Sequence, residues 1–283
     1  MVLMIIAVLV VVGLCLGSFV NALVWRVHEQ ATETGKKKPD KAYLATLSVS
    51  KGRSICPNCR HELAAKDLVP VLSWLALGGK CRYCGKPISW RYPIVEAGTA
   101  LLFVASYLWW PMPFDTAQKA IFVLWLAVLV GLIALAVYDL RWKLLPNRFI
   151  YPLSVLAAAM AVIGIAAADA PAKALLNEVL AILIGGGLFY LLFLVSDGKW
   201  IGGGDVRLGW LLGLIVGTPA RSFLFIFFGA LGGSLISLPL LANGRLKRSS
   251  VIPFGPFLIA GAVLVQLFGA DILNWYRQTF INF

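Results

Sequence analysis

The sequence predicts an all-α polytopic membrane protein of about eight transmembrane helices, with a small zinc-ribbon-like cytoplasmic insertion after the first. Three observations predict it. The 283 residues are 60% hydrophobic and only 13% charged, with a mean hydropathy of +0.86, whereas soluble domains run at roughly 45–50% apolar and 25% charged. Apolar runs of about the 20 residues needed to cross a bilayer recur along the chain. One long polar segment interrupts them, and it carries four cysteines in two C-x-x-C pairs.

Residues 1–25 form the first predicted helix, with no charge before Arg26. A cleaved signal peptide places its basic residues ahead of the apolar stretch, and here they follow it, so the segment reads as an uncleaved helix with its N-terminus outside. Near its inner end lies Gly17-Ser18-Phe19-Val20-Asn21. The plain reading of this motif is close helix packing through small residues, with Ser18 and Asn21 hydrogen-bonding locally. Cys15, in the same run, reads as a small buried hydrophobe.

Residues 26–92 form a polar module with thirteen Lys and Arg against five acids, Glu29, Glu33, Asp40, Glu62 and Asp67. The pairs Cys56-Pro57-Asn58-Cys59 and Cys81-Arg82-Tyr83-Cys84 are separated by the 21 residues 60–80. This resembles zinc-ribbon spacing, in which four thiolates close a tetrahedral site. Paired disulfides and free thiols are the competing readings; a cytosolic location disfavours the first, and the regular pairing argues against the second. Metal binding would supply much of the folding free energy of so small a module. His28 and His61 are then surface residues, not ligands.

Residues 93–283 form the remaining transmembrane core, with helices expected at about 93–110, 119–138, 149–168, 177–196, 204–217, 221–242 and 252–268. With the N-terminus outside, the inner loops are 26–92, 139–148, 197–203 and 243–251. Arg141, Lys143 and Arg148, and then Arg245, Lys247 and Arg248, all fall on that inner side, as the positive-inside rule requires. Much of the +12 formal charge is therefore a topology signal, reinforced by anionic lipid, and calls for no nucleic acid. The apolar run Val206–Gly217 is too short to span alone, so its helix borrows from the preceding glycines. The prolines of Pro253-Phe254-Gly255-Pro256 break the start of the last helix. Glu96, near the inner end of the second helix, is expected to pair with Arg91 or another inner cation.

Two further acids stand out at this depth. Asp205 follows Gly202, Gly203 and Gly204 at the edge of an apolar run, and Asp139 ends the third helix. An ionisable residue in such a place is by default a functional hypothesis. Facing each other, two carboxylates cannot both ionise: one holds a proton while the other stays charged. The charged member then takes a proton from water as it attacks a peptide carbonyl, and the protonated member donates to the carbonyl oxygen. The alternative is that each aspartate caps its helix or pairs with Arg141 or Arg207. Residue chemistry alone leaves both readings open.

Five motifs in one order, covering nearly the whole chain, bear on that choice: Gly17-Ser18-Phe19-Val20-Asn21, the four-cysteine loop, Asp139 followed by Pro146-Asn147, Gly202-Gly203-Gly204-Asp205, and Pro253-Phe254-Gly255-Pro256. Together they resemble the type IV prepilin peptidases, which are Gly-x-Gly-Asp aspartic proteases of the bacterial inner membrane. The resemblance implies cleavage of the basic leader of prepilins and pseudopilins at the cytoplasmic face, with Asp139 and Asp205 catalytic. It also implies N-methylation of the new N-terminus with S-adenosylmethionine. Gly202, Gly204, Pro146, Asn147, Gly17, Ser18 and Asn21 are carried over as supporting motif positions. Arg207 stands where the family often has Lys, and His28 where it usually has Pro. A presenilin-like intramembrane protease leaves the cysteine module and Pro146-Asn147 unexplained. A zinc-stabilised scaffold or transporter would place its acids near the bilayer midplane, and a transporter would show repeated halves.

Overall fold

The computed structural model describes residues 1–49, 52–244 and 252–280. Arg245, Lys247 and Arg248 lie outside the described residues. Among the described residues the chain is helical, with two isolated β-bridges inside the cysteine module. It divides into two compact units, Met1–Leu108 and Trp109–Phe283.

In the first unit, α1 (Val2–Thr34) packs antiparallel on α4 (Arg91–Leu108). Gly13 and Gly17 make this possible: a Cβ at Gly13 would stand 2.6 Å from the Ala100 Cα, and one at Gly17 2.6 Å from the Glu96 Cα. α1 runs nine residues past Trp25, because no Pro or Gly interrupts the chain before Gly35. This polar extension gathers the loop that follows it. The Arg26 guanidinium is buried and donates to the Ser48 and Gly52 carbonyls at 3.1 Å each, while the Gln30 amide donates to the Leu47 carbonyl at 2.8 Å. Short helices α2 (Lys41–Thr46) and α3 (Leu72–Ala76) flank the cysteine knuckles. Cys15 is exposed on α1, not buried as expected, since Gly13 and Gly17 take the face toward α4.

The second unit contains α5 (Thr116–Trp142), α6 (Asn147–Ala166), α7 (Pro171–Val195), α8 (Gly203–Val216), α9 (Pro219–Ala242) and α10 (Gly255–Phe280). The eight expected long helices are all present, and six of them are long and apolar enough to cross a membrane: α1, α5, α6, α7, α9 and α10. α8 has only 14 residues, and it touches α6, α7, α9 and α10. A helix apolar all round belongs in such an interior, and Leu208, Leu211 and Leu212 are almost completely buried there. α7 and α8 approach through glycine, with a Cβ at Gly209 falling 2.4 Å from the Gly185 carbonyl oxygen. The last helix starts at Gly255, where the prolines predict a break, and continues to Phe280, twelve residues beyond the expected end.

Candidate active site

One end of the second unit is assembled from three helix termini. α5 closes on Lys143, which adopts a left-handed conformation (φ 56°) and whose N–H donates to the Asp139 carbonyl at 2.8 Å. Asp139 thus lies inside the last turn of α5, and it is buried. Its Oδ2 accepts a hydrogen bond of 3.1 Å from the Gly255 N–H at the start of α10. Any side chain there would force a shift, because a Cβ at Gly255 would lie 2.7 Å from Asp139 Oδ2 and 3.3 Å from Leu145 Cδ2.

Asp205 occupies the first turn of α8, behind the extended N-cap residue Gly202. Its N–H donates to the Gly202 carbonyl at 3.0 Å, and its carboxylate interacts in return with the Gly202 backbone amide. A carboxylate so placed also meets the positive end of the helix dipole. Gly203 and Gly204 begin the helix, and a Cβ at Gly204 would stand 3.2 Å from Leu145 Cβ. Leu145, from the α5–α6 connection, therefore packs beside Gly204, next to Asp205, and beside Gly255, whose N–H bonds Asp139. Asp139 and Asp205 thus belong to helix ends that share Leu145 as a neighbour.

Neither carboxylate forms an ion pair among the described residues. Arg207 turns away, its Nε donating to the Gly203 carbonyl at 2.9 Å and its terminal nitrogen to Asn147 Oδ1. The Arg141 guanidinium lies over the Trp142 ring. The two cations that might have neutralised the acids are thus engaged elsewhere. Pro146 and Asn147 have separable roles: Pro146 offers its carbonyl to the Phe149 and Ile150 amides at the start of α6, and Asn147 ties α6 to the Arg207 side chain of α8.

In the first unit, Cys56, Cys59, Cys81 and Cys84 place their four Sγ atoms within 4.8 Å of one another, with Cys56 and Cys84 at 4.0 Å. Tetrahedral thiolates around zinc, with bonds of about 2.3 Å, stand about 3.8 Å apart, so the donor set fits. The two knuckles repeat one geometry. The Cys56 N–H donates to the His61 carbonyl and the Cys81 N–H to the Lys86 carbonyl, both at 2.9 Å. The residue after each second cysteine, Arg60 or Gly85, has positive φ. Burial pushes the Cys56 thiol up to about 11. At Cys81 burial acts the same way, but the backbone amides of Cys84 and Tyr83 outweigh it and bring the thiol down to about 7. Asp67 holds the second knuckle, accepting from Arg82 Nε at 2.7 Å and from the Tyr83 hydroxyl at 2.8 Å. His61 stacks on Tyr83 and is not among the clustered ligands.

The family described as "Bacterial Peptidase A24 N-terminal domain" matches residues 11–110, and the "Type IV leader peptidase family" matches residues 126–238. Proteins named prepilin leader peptidase/N-methyltransferase are similar over most of the chain. That of Bacillus subtilis is 33% identical, covering 81% of this chain and 87% of its own length. That of Pseudomonas aeruginosa is 32% identical, covering 95% and 92%. That of Burkholderia pseudomallei strain K96243 is 33% identical, covering 92% and 84%. This chain belongs to the type IV leader peptidase family. No solved structure matches it.

In this leader peptidase family member, the first-helix motif is engaged across helices, not locally. The Asn21 amide donates to the Tyr92 carbonyl at 3.1 Å, and Ser18 and Asn21 both interact with the Glu96 carboxylate. Glu96, expected to meet a cation, instead accepts from the Val71 N–H at 2.7 Å. The close approach at Gly17 delivers these neutral donors and leaves no room for a long basic side chain. Sequence reasoning missed Leu145 altogether, and it read Gly255 only as part of a helix-breaking motif. A glycine between two prolines was the one available signal.

Proposed function

We propose that the chain is a membrane aspartic endopeptidase that removes the basic leader of type IV prepilins and pseudopilins at the cytoplasmic face, with Asp139 and Asp205 as its catalytic pair. One observation carries the assignment of residues. Leu145 packs beside both Gly204, which precedes Asp205, and Gly255, whose N–H bonds Asp139, so carboxylates from separate helix ends are gathered around one side chain, while the neighbouring cations are engaged elsewhere. Two like charges in this setting share a proton. Asp139 Oδ2 is occupied by the Gly255 N–H, so any proton on Asp139 sits on Oδ1. The ionised carboxylate takes a proton from water as the water oxygen attacks the scissile carbonyl, and the protonated partner donates to the carbonyl oxygen. Collapse of the tetrahedral intermediate breaks the C–N bond, and the leaving amine takes up a proton from the pair.

The positive-inside pattern supports an N-terminus outside, with Asp139, Asp205 and the bases Arg141, Lys143 and Arg148 on the cytoplasmic side of the inner membrane. A substrate with a polar leader and an apolar helix then presents its scissile bond at the interface. Anionic lipid is the natural counterpart of the inner bases. Cys56, Cys59, Cys81 and Cys84 hold zinc as a closed structural site with no open coordination position. The names of the relatives support a second activity, N-methylation of the new N-terminus with S-adenosylmethionine as methyl donor.

The test is cleavage of a prepilin whose basic leader ends in Gly before Phe, by membranes containing the wild type, Asp139→Asn or Asp205→Asn, scored by mass. Wild-type trimming with loss of cleavage in both inserted variants is the expected result, and 14 Da steps on the product would report methylation. Near wild-type cleavage by either variant overturns the two-aspartate mechanism.

A further inference from the structure

The cysteine module carries an apolar surface that the proposed function does not use. Leu68, Val69, Leu72 and Leu75 are 39%, 43%, 64% and 58% exposed, and Trp90 is 66% exposed. Leu72 and Leu75 are one turn apart on α3 and point away from their own unit. Between them Trp74 packs on Trp90, with ring centroids 4.1 Å apart, and its Nε1–H donates to the Ile88 carbonyl at 3.1 Å. Trp90, just before α4, heads a stripe that continues on α4 through Ile94, Leu101 and Leu108, all more than half exposed. The surface of α3 is therefore continuous with the outward apolar face of α4.

The depth of α3 follows from the bonds at its start. The Val71 N–H is bonded to Glu96, and Glu96 packs on Gly17 and interacts with Ser18 of α1. Gly17 precedes Arg26, the first charged residue of the chain, by about 13 Å along a helix rising 1.5 Å per residue. α3 thus begins level with the apolar run of α1. The bond has a conformational cost: Val71 holds φ 60°, a region that β-branched residues avoid. The charge pattern agrees. No acid occurs between Asp67 and Glu96, whereas Lys80, Lys86 and Arg91 do, and Arg82 is held by Asp67.

We propose that α3, with Leu68, Val69 and Trp90, lies in the lipid–water boundary of the inner leaflet, its leucines among the acyl chains and the nearby bases toward anionic headgroups. An amphipathic surface of this kind buries its apolar face about 5–10 Å into the boundary. The cysteine module is then seated on the bilayer by its own side chains as well as by its covalent ends.

Photo-crosslinking tests this in vesicles of phosphatidylethanolamine and phosphatidylglycerol. The full chain carries p-benzoylphenylalanine singly at Leu72, Leu75 or Trp90, with Leu101 as the lipid-facing reference and Glu62 as the aqueous one. Acyl-chain adducts at 72, 75 and 90 should come within about threefold of those at 101 and exceed those at 62 by at least about tenfold, as expected for side chains partitioned into hydrocarbon. Labelling at the Glu62 level overturns the proposal. So does crosslinking of these positions to a second copy of the chain or, when prepilin is added, to the substrate in place of lipid. If a substitution at 72 or 75 blocks insertion, position 90 reads the same surface, because its side chain is already large and aromatic.

Discussion

Gly255→Ala probes the assembly of the site through one added methyl group. The new Cβ would meet Asp139 Oδ2 at 2.7 Å, Leu145 Cδ2 at 3.3 Å and Asp139 Cγ at 3.4 Å. The first contact is too short to persist, so either the carboxylate rotates off the Gly255 N–H or the start of α10 retreats. Both routes lose a hydrogen bond to a carboxylate, worth roughly 1.5–3 kcal/mol, and displace a reacting group by a distance at which losses of about 10²-fold are common. The expected effect is a fall of about 10- to 100-fold in kcat/KM for leader cleavage, with thermal stability in detergent changed far less. Gly204→Ala is the milder comparison, because the atom nearest its Cβ would be Leu145 Cβ, at 3.2 Å, a contact relieved by a shift of a few tenths of an ångström. Cleavage by Gly255→Ala within about twofold of wild type would refute the reasoning that this amide positions Asp139.

Other outcomes follow from the same geometry. Asn147→Ala and Arg207→Ala each remove one side of the α6–α8 tie, so a double-mutant cycle on cleavage or stability should be non-additive by about 0.5–3 kcal/mol; additive effects would mean that the tie carries no energy. Val71→Gly relieves a positive φ while keeping the N–H bonded to Glu96, and should raise stability by up to about 1 kcal/mol. A clear loss would show that the valine side chain matters more than the strain. Glu96→Ala leaves the buried Val71 amide without its acceptor and should cost about 1.5–3 kcal/mol, measured by the thermal midpoint in detergent. Purified protein should carry one zinc per chain by elemental analysis, and Cys81→Ser should lower that content and make the segment between α1 and α4 protease-sensitive; full metal content in the variant would exclude the four-thiolate site.

The sequence by itself determined much of this protein, for reasons that are local. Hydrocarbon tolerates only long apolar helices, so the eight long helices could be counted from composition, and α8 was recognised as too short before its neighbours were known. The two C-x-x-C pairs predicted the cluster because a tetrahedral thiolate site demands paired knuckles. The aspartates stood out because a charge at the edge of an apolar run needs a reason. Helix ends were less legible: α1 continues through Arg26 to Thr34 because nothing in its polar extension breaks a helix, and only the carbonyls at Ser48 and Gly52 show why its arginine can be buried. Tertiary structure alone decided the partners. That Asp139 takes its hydrogen bond from Gly255, 116 positions away, that Leu145 packs beside both Gly204 and Gly255, that Asn147 draws off Arg207, and that Glu96 meets the amide of a strained valine are consequences of which helix ends converge. Periodicity and propensity describe one segment at a time, whereas these contacts depend on how close two segments come, and that is set by the glycines and side chains of both.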